Sequence, residues 1–450
     1  MKVLVITYYW PPSGGSGVQR WLKLSKYLPR FGWEPVIYTP LNPDVNATDE
    51  SLLKDVSKDL EVIKKKITEP YGLYKILSGK KKGEQLRANI ITAEKNSGVE
   101  KRGVFQRMSM HIRANWFIPD PRCWWIKPSV RFLSKIIKSR KIDAVISTGP
   151  PHSMHLIAKQ LHRKFNLPWI ADFRDPWTNI FYFKHLGLSE RSLKKHKALE
   201  RSVLAEADLV TVVSPQMEKE FSEGGYIAFK DKVKVIPNGY DPDDFEGVSE
   251  AGGADGKFVV AHTGLMPQSA NPDVFWKVLG DMVKTDPLLG EKLSIVVMGQ
   301  TDPVVRTDIA ENGLEGYFKD LGYVPHATSV AWQKRANLLL LPLRKEKESK
   351  AILTGKFFEY LASGNRILAF GPADGNLALE LEATGSGNIC DFEDKVAIKN
   401  CFSDIWNKFK NGADIKSNLT QEQKEKRLKY SRIKQAEKFS HLLNECVNNR

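Results

Sequence analysis

Short apolar runs alternate with stretches at helical spacing along most of the chain, and the alternation occurs twice. Residues 2–8 read as a buried strand, 18–31 as an amphipathic helix stopped at Gly32, and 35–39 as the next strand, so the chain opens with a βαβ unit. The pattern lapses over about 46–128 and resumes with a helix at 128–140, a strand at 143–148, a helix at 190–204, and strands at 208–214 and 234–236. The acidic, glycine-rich run 243–256 reads as a linker. A second series follows, with strands at 258–262, 293–298 and 337–343 and helices beginning near Asn271-Pro272 and spanning 303–311 and 327–335. Residues 419–447 read as one long charged helix. The fold class is therefore α/β, in two similar halves without a short internal repeat.

The stretch Thr354-Gly-Lys-Phe-Phe-Glu-Tyr-Leu-Ala-Ser-Gly-Asn-Arg-Ile-Leu-Ala-Phe-Gly-Pro372 carries the most chemistry. Thr354 suits an N-cap and Gly364 a left-handed stop, which predicts a helix of two to three turns followed by a buried strand at 366–370. Lys356 and Glu359 share one face near the positive end of that helix. Such a pair suits a sugar nucleotide, whose diphosphate needs a cation and whose ribose diol donates to a carboxylate; a solvated i,i+3 ion pair is the plain alternative.

Three loops add to this. Pro11-Pro-Ser-Gly14-Gly15-Ser-Gly17 lets the backbone approach a ligand before a helix, or is simply a strand-to-helix turn; it is not the G-x-G-x-x-G fingerprint. Gly149-Pro-Pro-His152-Ser-Met-His155 follows a strand, as binding loops do in α/β proteins, and its two histidines lack a third ligand at metal spacing. Asp172-Phe-Arg174-Asp175-Pro-Trp177 sets two carboxylates around an arginine, the makings of an ion-pair network or of a site.

Composition narrows the setting. A chain of 450 residues, 42% apolar, exceeds one core and suits two domains. Cys123, Cys390, Cys401 and Cys446 are scattered, which indicates neither zinc nor a disulfide framework and fits a reducing cytoplasm. The apolar run at the start is only a strand long, and no stretch reaches the roughly 18–20 apolar residues of a membrane span. A net charge of +15 favours acidic partners. The insertion 46–128 mixes Lys64 to Lys66 and Lys80 to Lys82 with Tyr71, Tyr74, Trp116, Phe117, Trp124 and Trp125. That composition fits a membrane-interfacial segment, a stacking groove for single-stranded nucleic acid, or a solvated basic loop.

The run from Lys356 through Glu359-Tyr360 to Gly364 and Ala369 resembles the K-x-x-E-Y-x-A-x-G-x-P-[IV]-[IL]-A signature of glycosyltransferase family 4, retaining enzymes of GT-B fold. The T-G-P-P-H-S and A-D-F-R-D-P-W runs and Pro237-Asn238-Gly239-Tyr-Asp241 match a branch of that family in the same order. The resemblance implies two Rossmann-like domains facing a central cleft. An acceptor domain would occupy 1–242 and a nucleotide-sugar domain 257–418, with 419–450 crossing back to the first. It implies a hexosyltransferase using a nucleotide diphosphate sugar, without metal or other cofactor, on a glycan or lipid-linked acceptor of a surface polysaccharide. Donor contacts fall on Gly14, Gly15, Gly17, Asn238, Gly264, Arg344, Lys356 and Glu359, and the catalytic or acceptor side on His152, Asp172, Arg174 and Asp175.

The sequence departs from the family at Arg366, where proline is usual, and at Ala351, where the first Glu of the E-x7-E pair belongs. It departs again at Leu265 and Ala270 or Asn271, in place of the arginine and lysine that take the diphosphate. The expected location is cytoplasmic, with peripheral contact at the inner face of an anionic membrane; nucleic acid is not the expected partner. The rival readings are an epimerase or phosphorylase on the same fold, or a non-catalytic basic binding protein.

Overall fold

The computed structural model describes residues 1–45, 48–68, 114–180, 183, 186–251, 255–346, 349–350, 352–416 and 419–450. The chain divides into two compact units, one formed by Met1–Pro237 with Gln435–Arg450 and the other by Asn238–Lys434.

The first unit is a seven-stranded parallel sheet in the order β3-β2-β1-β4-β5-β6-β7. Its strands are β1 (Lys2–Ile6), β2 (Glu34–Pro40), β3 (Glu61–Lys65), β4 (Ala144–Gly149), β5 (Trp169–Phe173), β6 (Leu209–Val212) and β7 (Val233–Val235). Helices Ser16–Tyr27, Ile126–Arg140, Ser153–Phe165 and Glu190–Glu206 connect them. The central strands are apolar runs because every residue of β4 and β5 is buried, as sheets covered on both faces require.

The second unit repeats the plan with six strands in the order β10-β9-β8-β11-β12-β13. These are β8 (Phe258–Thr263), β9 (Leu293–Met298), β10 (Phe318–Asp320), β11 (Leu338–Pro342), β12 (Arg366–Phe370) and β13 (Gly387–Cys390). Successive residues go to opposite layers: Val260, Leu338, Leu340 and Leu368 enter one core cluster, Val259, Leu339, Leu341 and Ile367 the other. Both orders reverse direction beside the first strand, between β1 and β4 and between β8 and β11, where doubly wound sheets open a crevice for ligands at the carboxyl ends.

Two expectations are corrected. The insertion is not irregular throughout, since Glu61–Lys65 adds to the sheet edge beside β2, and Trp125 is core: it stacks on Tyr38 with centroids 5.2 Å apart and donates to the Tyr38 hydroxyl at 3.0 Å. Lysine-rich and only partly buried, that edge strand lacks the apolar run of its neighbours. The terminal helix is also two helices, Gln421–Lys429 and Arg432–Asn448. The break falls where Tyr240 lies alongside; its N–H donates to the Tyr430 carbonyl at 3.1 Å and its carbonyl accepts from the Arg432 N–H at 2.8 Å. A backbone partner of higher sequence separation has displaced one turn of helical bonding.

Candidate functional site

In the second unit the site residues gather around the end of β8. The helix Gly355–Ser363 starts after Thr354 and stops on Gly364 at φ 76°, as its spacing predicts. Thr354 occupies the N-cap, yet its hydroxyl caps nothing, and Oγ1 is buried with no partner among the described residues. Tyr360 fastens this helix to the strand, its hydroxyl oxygen accepting from the Thr263 N–H at 2.8 Å. The fastening sets the Lys356 stem against Gly264, which has φ +92°, and a Cβ there would lie 2.8 Å from the lysine Cε. Only glycine meets both demands.

The Lys356 ammonium donates to the Leu265 carbonyl at 2.9 Å and to His262 Nε2 at 3.1 Å. Burial, with the Arg344 charge nearby, lowers its pKa to about 8 despite the opposing pull of Glu359. Arg344 follows β11, its guanidinium 3.9 Å from Glu346. Two cations within electrostatic reach of each other repel, and an anion between them would relieve the repulsion. Glu359 turns the other way, onto the helix His326–Arg335. Gln333 donates to one of its oxygens at 3.3 Å and His326 Nε2 stands 3.6 Å from the other. Burial alone would raise its pKa, but the His326 and Gln333 hydrogen bonds and the Arg432 charge hold it below the usual carboxylate range. The carboxylate is ionised and its side chain is 29% exposed.

The positions where the family carries its extra cations are put to other use. Leu265 is exposed and contributes its carbonyl to Lys356, whereas Asn271 is buried between Asp308 and the Trp276 indole, which donates to it at 2.9 Å. Ala351 lies outside the described residues. Asn238 opens the second unit two residues before Tyr240.

In the first unit, loops from the ends of β1, β4 and β5 meet at Arg174. Its Nη1 donates to the Gly17 carbonyl at 2.8 Å, its Nη2 to the Pro150 carbonyl, and its guanidinium carbon sits 5.6 Å from the Tyr9 ring centre. A Cβ on Gly17 would press on Arg174 and Tyr9, each at 3.2 Å. Gly15, at φ +92°, turns the chain into the helix that contains Gly17, with Gly14 before it. His152 stacks on Trp177 with centroids 4.4 Å apart, and burial keeps its imidazole neutral. Burial likewise raises the Asp175 pKa against the pull of Arg174.

Asp172 has a different environment. It is 0% exposed, and its oxygens accept from Arg20, Trp21, Thr148 and Thr211 at 2.8–3.1 Å. Arg20 also donates to the carbonyls of Ile236 and Pro237, both at 2.9 Å, so this carboxylate braces the sheet interior and the exit from β7. Sequence reading missed Arg20 because it lies on an amphipathic helix, where an arginine ordinarily faces water.

Two parallel sheets of Rossmann order, each with its residues at the switch point, define the GT-B architecture. Solved structures of that architecture match along the whole chain. A glycosyltransferase from Rickettsia africae ESF-5 superposes with TM-score 0.60 at 14% identity, covering 100% of this chain and 99% of that one. Sucrose-phosphate synthase from Thermosynechococcus elongatus gives TM-score 0.61 at 15% identity, covering 100% of both. Anabaena HepE in complex with UDP gives 0.58 at 12%, covering 99% of this chain and 100% of its own. At such identities the likeness establishes fold. No curated protein sequence matches. Residues 87–244, about a third of the chain, match the family model Glycosyltransferase Family 4, and the fold of the chain is GT-B.

Proposed function

We propose that the enzyme transfers a hexose, with retention, from a nucleotide diphosphate sugar to a glycan or lipid-linked acceptor in surface polysaccharide synthesis. The observation that carries this reading is the Lys356 ammonium, which spends two of its hydrogens on Leu265 and His262 beside Arg344, one helix turn from the ionised Glu359. A diphosphate takes the third N–H and the Arg344 charge; the ribose diol donates to Glu359. Departure of the nucleoside diphosphate is the step these cations assist, since negative charge grows there in the transition state.

On the acceptor side, Asp175 suits a polar contact better than Asp172, whose oxygens are fully engaged. Arg174 holds the three loops, and His152 presents a neutral ring. Lys356 and Arg344 would carry the charge of the diphosphate, so activity is expected to survive EDTA; complete loss restored by magnesium or manganese overturns that part. Calorimetric titration of a panel of nucleotide diphosphate sugars, followed by the anomeric configuration of the product by NMR, tests the whole. No donor binding, or an inverted product, defeats it.

We further propose peripheral attachment to anionic lipid through the basic segment, supported by the charge of +15 and by Trp116 and Trp124, 77% and 47% exposed. Lys80 to Lys82, Tyr71 and Tyr74 lie outside the described residues.

A further inference from the structure

His262 is the penultimate residue of β8 and 1% exposed. Its strand pairs with β11 only through Val260–Leu338 and Ala261–Leu339. Where that pairing stops, at the switch point, the imidazole reaches across, and Nδ1 lies 3.0 Å from the Leu340 carbonyl. A carbonyl only accepts, so Nδ1 carries the hydrogen. In a neutral ring Nε2 is then a bare lone pair, and it faces the Lys356 ammonium at 3.1 Å.

We propose that His262 is a positioning residue for the transfer reaction: its tautomer, fixed by the Leu340 carbonyl, makes Nε2 an obligatory acceptor that holds Lys356 over Gly264 and aims its remaining N–H at the anionic group of the donor. The proposal rests on the reading of Lys356 as the diphosphate contact. Burial, and then the Lys356 charge, keep His262 neutral by lowering its pKa well below the usual histidine value. The groups that face Lys356 are His262 from β8, Arg344 after β11 and Glu359 on its own helix. Among them His262 is the neutral one, so it anchors the ammonium without adding to the Arg344 repulsion. A lysine on a four-carbon stem is otherwise free to rotate, and each lost rotamer has to be recovered from binding.

The test uses the full chain with His262→Leu and His262→Gln. Glutamine places an acceptor oxygen near the Nε2 position; leucine fills the space without one. Lys356 is followed by the 13Cε shift of labelled lysine, assigned with Lys356→Met, and binding is measured by calorimetry with UDP, ADP, GDP and dTDP as probes. His262→Leu is expected to move the Lys356 midpoint below its wild-type value of about 8 and to weaken the bound diphosphate by about tenfold to a hundredfold. His262→Gln is expected to restore both. Wild-type midpoint and affinity in His262→Leu overturn the proposal. Should the leucine variant not fold, the wild-type His262 15N shifts decide: a protonated Nδ1 with a bare Nε2 supports the proposal, and the opposite tautomer or an imidazolium overturns it. If no diphosphate binds the wild type while the Lys356 midpoint still follows the His262 variants, the donor-site reading falls and the anchoring of Lys356 stands.

Discussion

Arg20 lies against Asp172 with Nε 3.1 Å and Nη2 2.8 Å from the two carboxylate oxygens, 152 residues apart in sequence and exposed by no more than 1%. A pair this deep contributes chiefly by what its loss would leave behind. Arg20→Leu strands a buried carboxylate, and the expected cost is roughly 3–5 kcal/mol in urea unfolding. The pH dependence follows in sign. Burial alone would raise the Asp172 pKa, but the Arg20 charge and the hydrogen bonds from Arg20, Thr211 and Trp21 hold it below the usual value. Its contribution is therefore complete above the unfolded pKa and lost as pH falls through the folded one. Acid unfolding of Arg20→Leu should begin at higher pH than that of wild type; coincident acid transitions would show the pair to be inert.

Nucleoside diphosphate affinity should decline as pH rises through about 8, where Lys356 loses its charge in the free protein. A bound anion favours the ammonium, so the decline in the complex is displaced upward. The same lowered value means that the charge opposes folding below 8 and that this cost fades towards the ordinary lysine pKa. Calorimetry on either side of 8, with Lys356→Met as the flat control, checks it, and a pH-independent wild type counts against the lysine.

Glu359→Gln keeps the helix but replaces two charged acceptor oxygens by one neutral oxygen. The Gln333 amide and His326 lose the charge that they address, and a ribose diol loses one acceptor. Donor binding should weaken by on the order of 1.5–3 kcal/mol, with melting little altered. Equal affinity would remove Glu359 from the site.

Vesicle co-sedimentation is expected to require anionic lipid and to weaken as salt rises, each lysine near the surface contributing about 1 kcal/mol. Changing Lys64 to Lys66 and Lys80 to Lys82 to glutamine should release the protein. Among Lys64 to Lys66 the smallest share is expected of Lys65, which is tied to the Pro128 carbonyl at 2.9 Å and lies 4.8 Å from the Phe132 ring centre. Both forms remaining in the supernatant at low salt would leave the segment without a role at the membrane.

Most strands were legible because a buried parallel strand announces itself as an apolar run between glycines and prolines; β12, 366–370, matches its expectation residue for residue. The edge strand β3 escaped for want of that run. Lys356, Glu359 and Gly364 were legible because helix spacing places them. His262, Gln333 and His326 were not, since their meaning comes from strands and helices that meet only in three dimensions. Arg20 was hidden for a similar reason: nothing local marks an arginine whose partner lies four strands further along the chain.

The division of the chain has a consequence for the order in which the protein is made. Gln435–Arg450 belongs to the unit that Met1 begins, and it brings Phe439 to 5.2 Å from the Trp21 ring centre and Asn444 to within 3.0 Å of the Trp33 indole nitrogen. Domains emerging from a ribosome generally fold from the amino end first. Here the unit that starts first waits for the last helix, and the unit threaded into its middle is the earlier one with every piece in hand. A fragment stopped at Pro237 would present Trp21 without Phe439 and Trp33 without Asn444, so a chaperone or a protease would meet an unfinished surface.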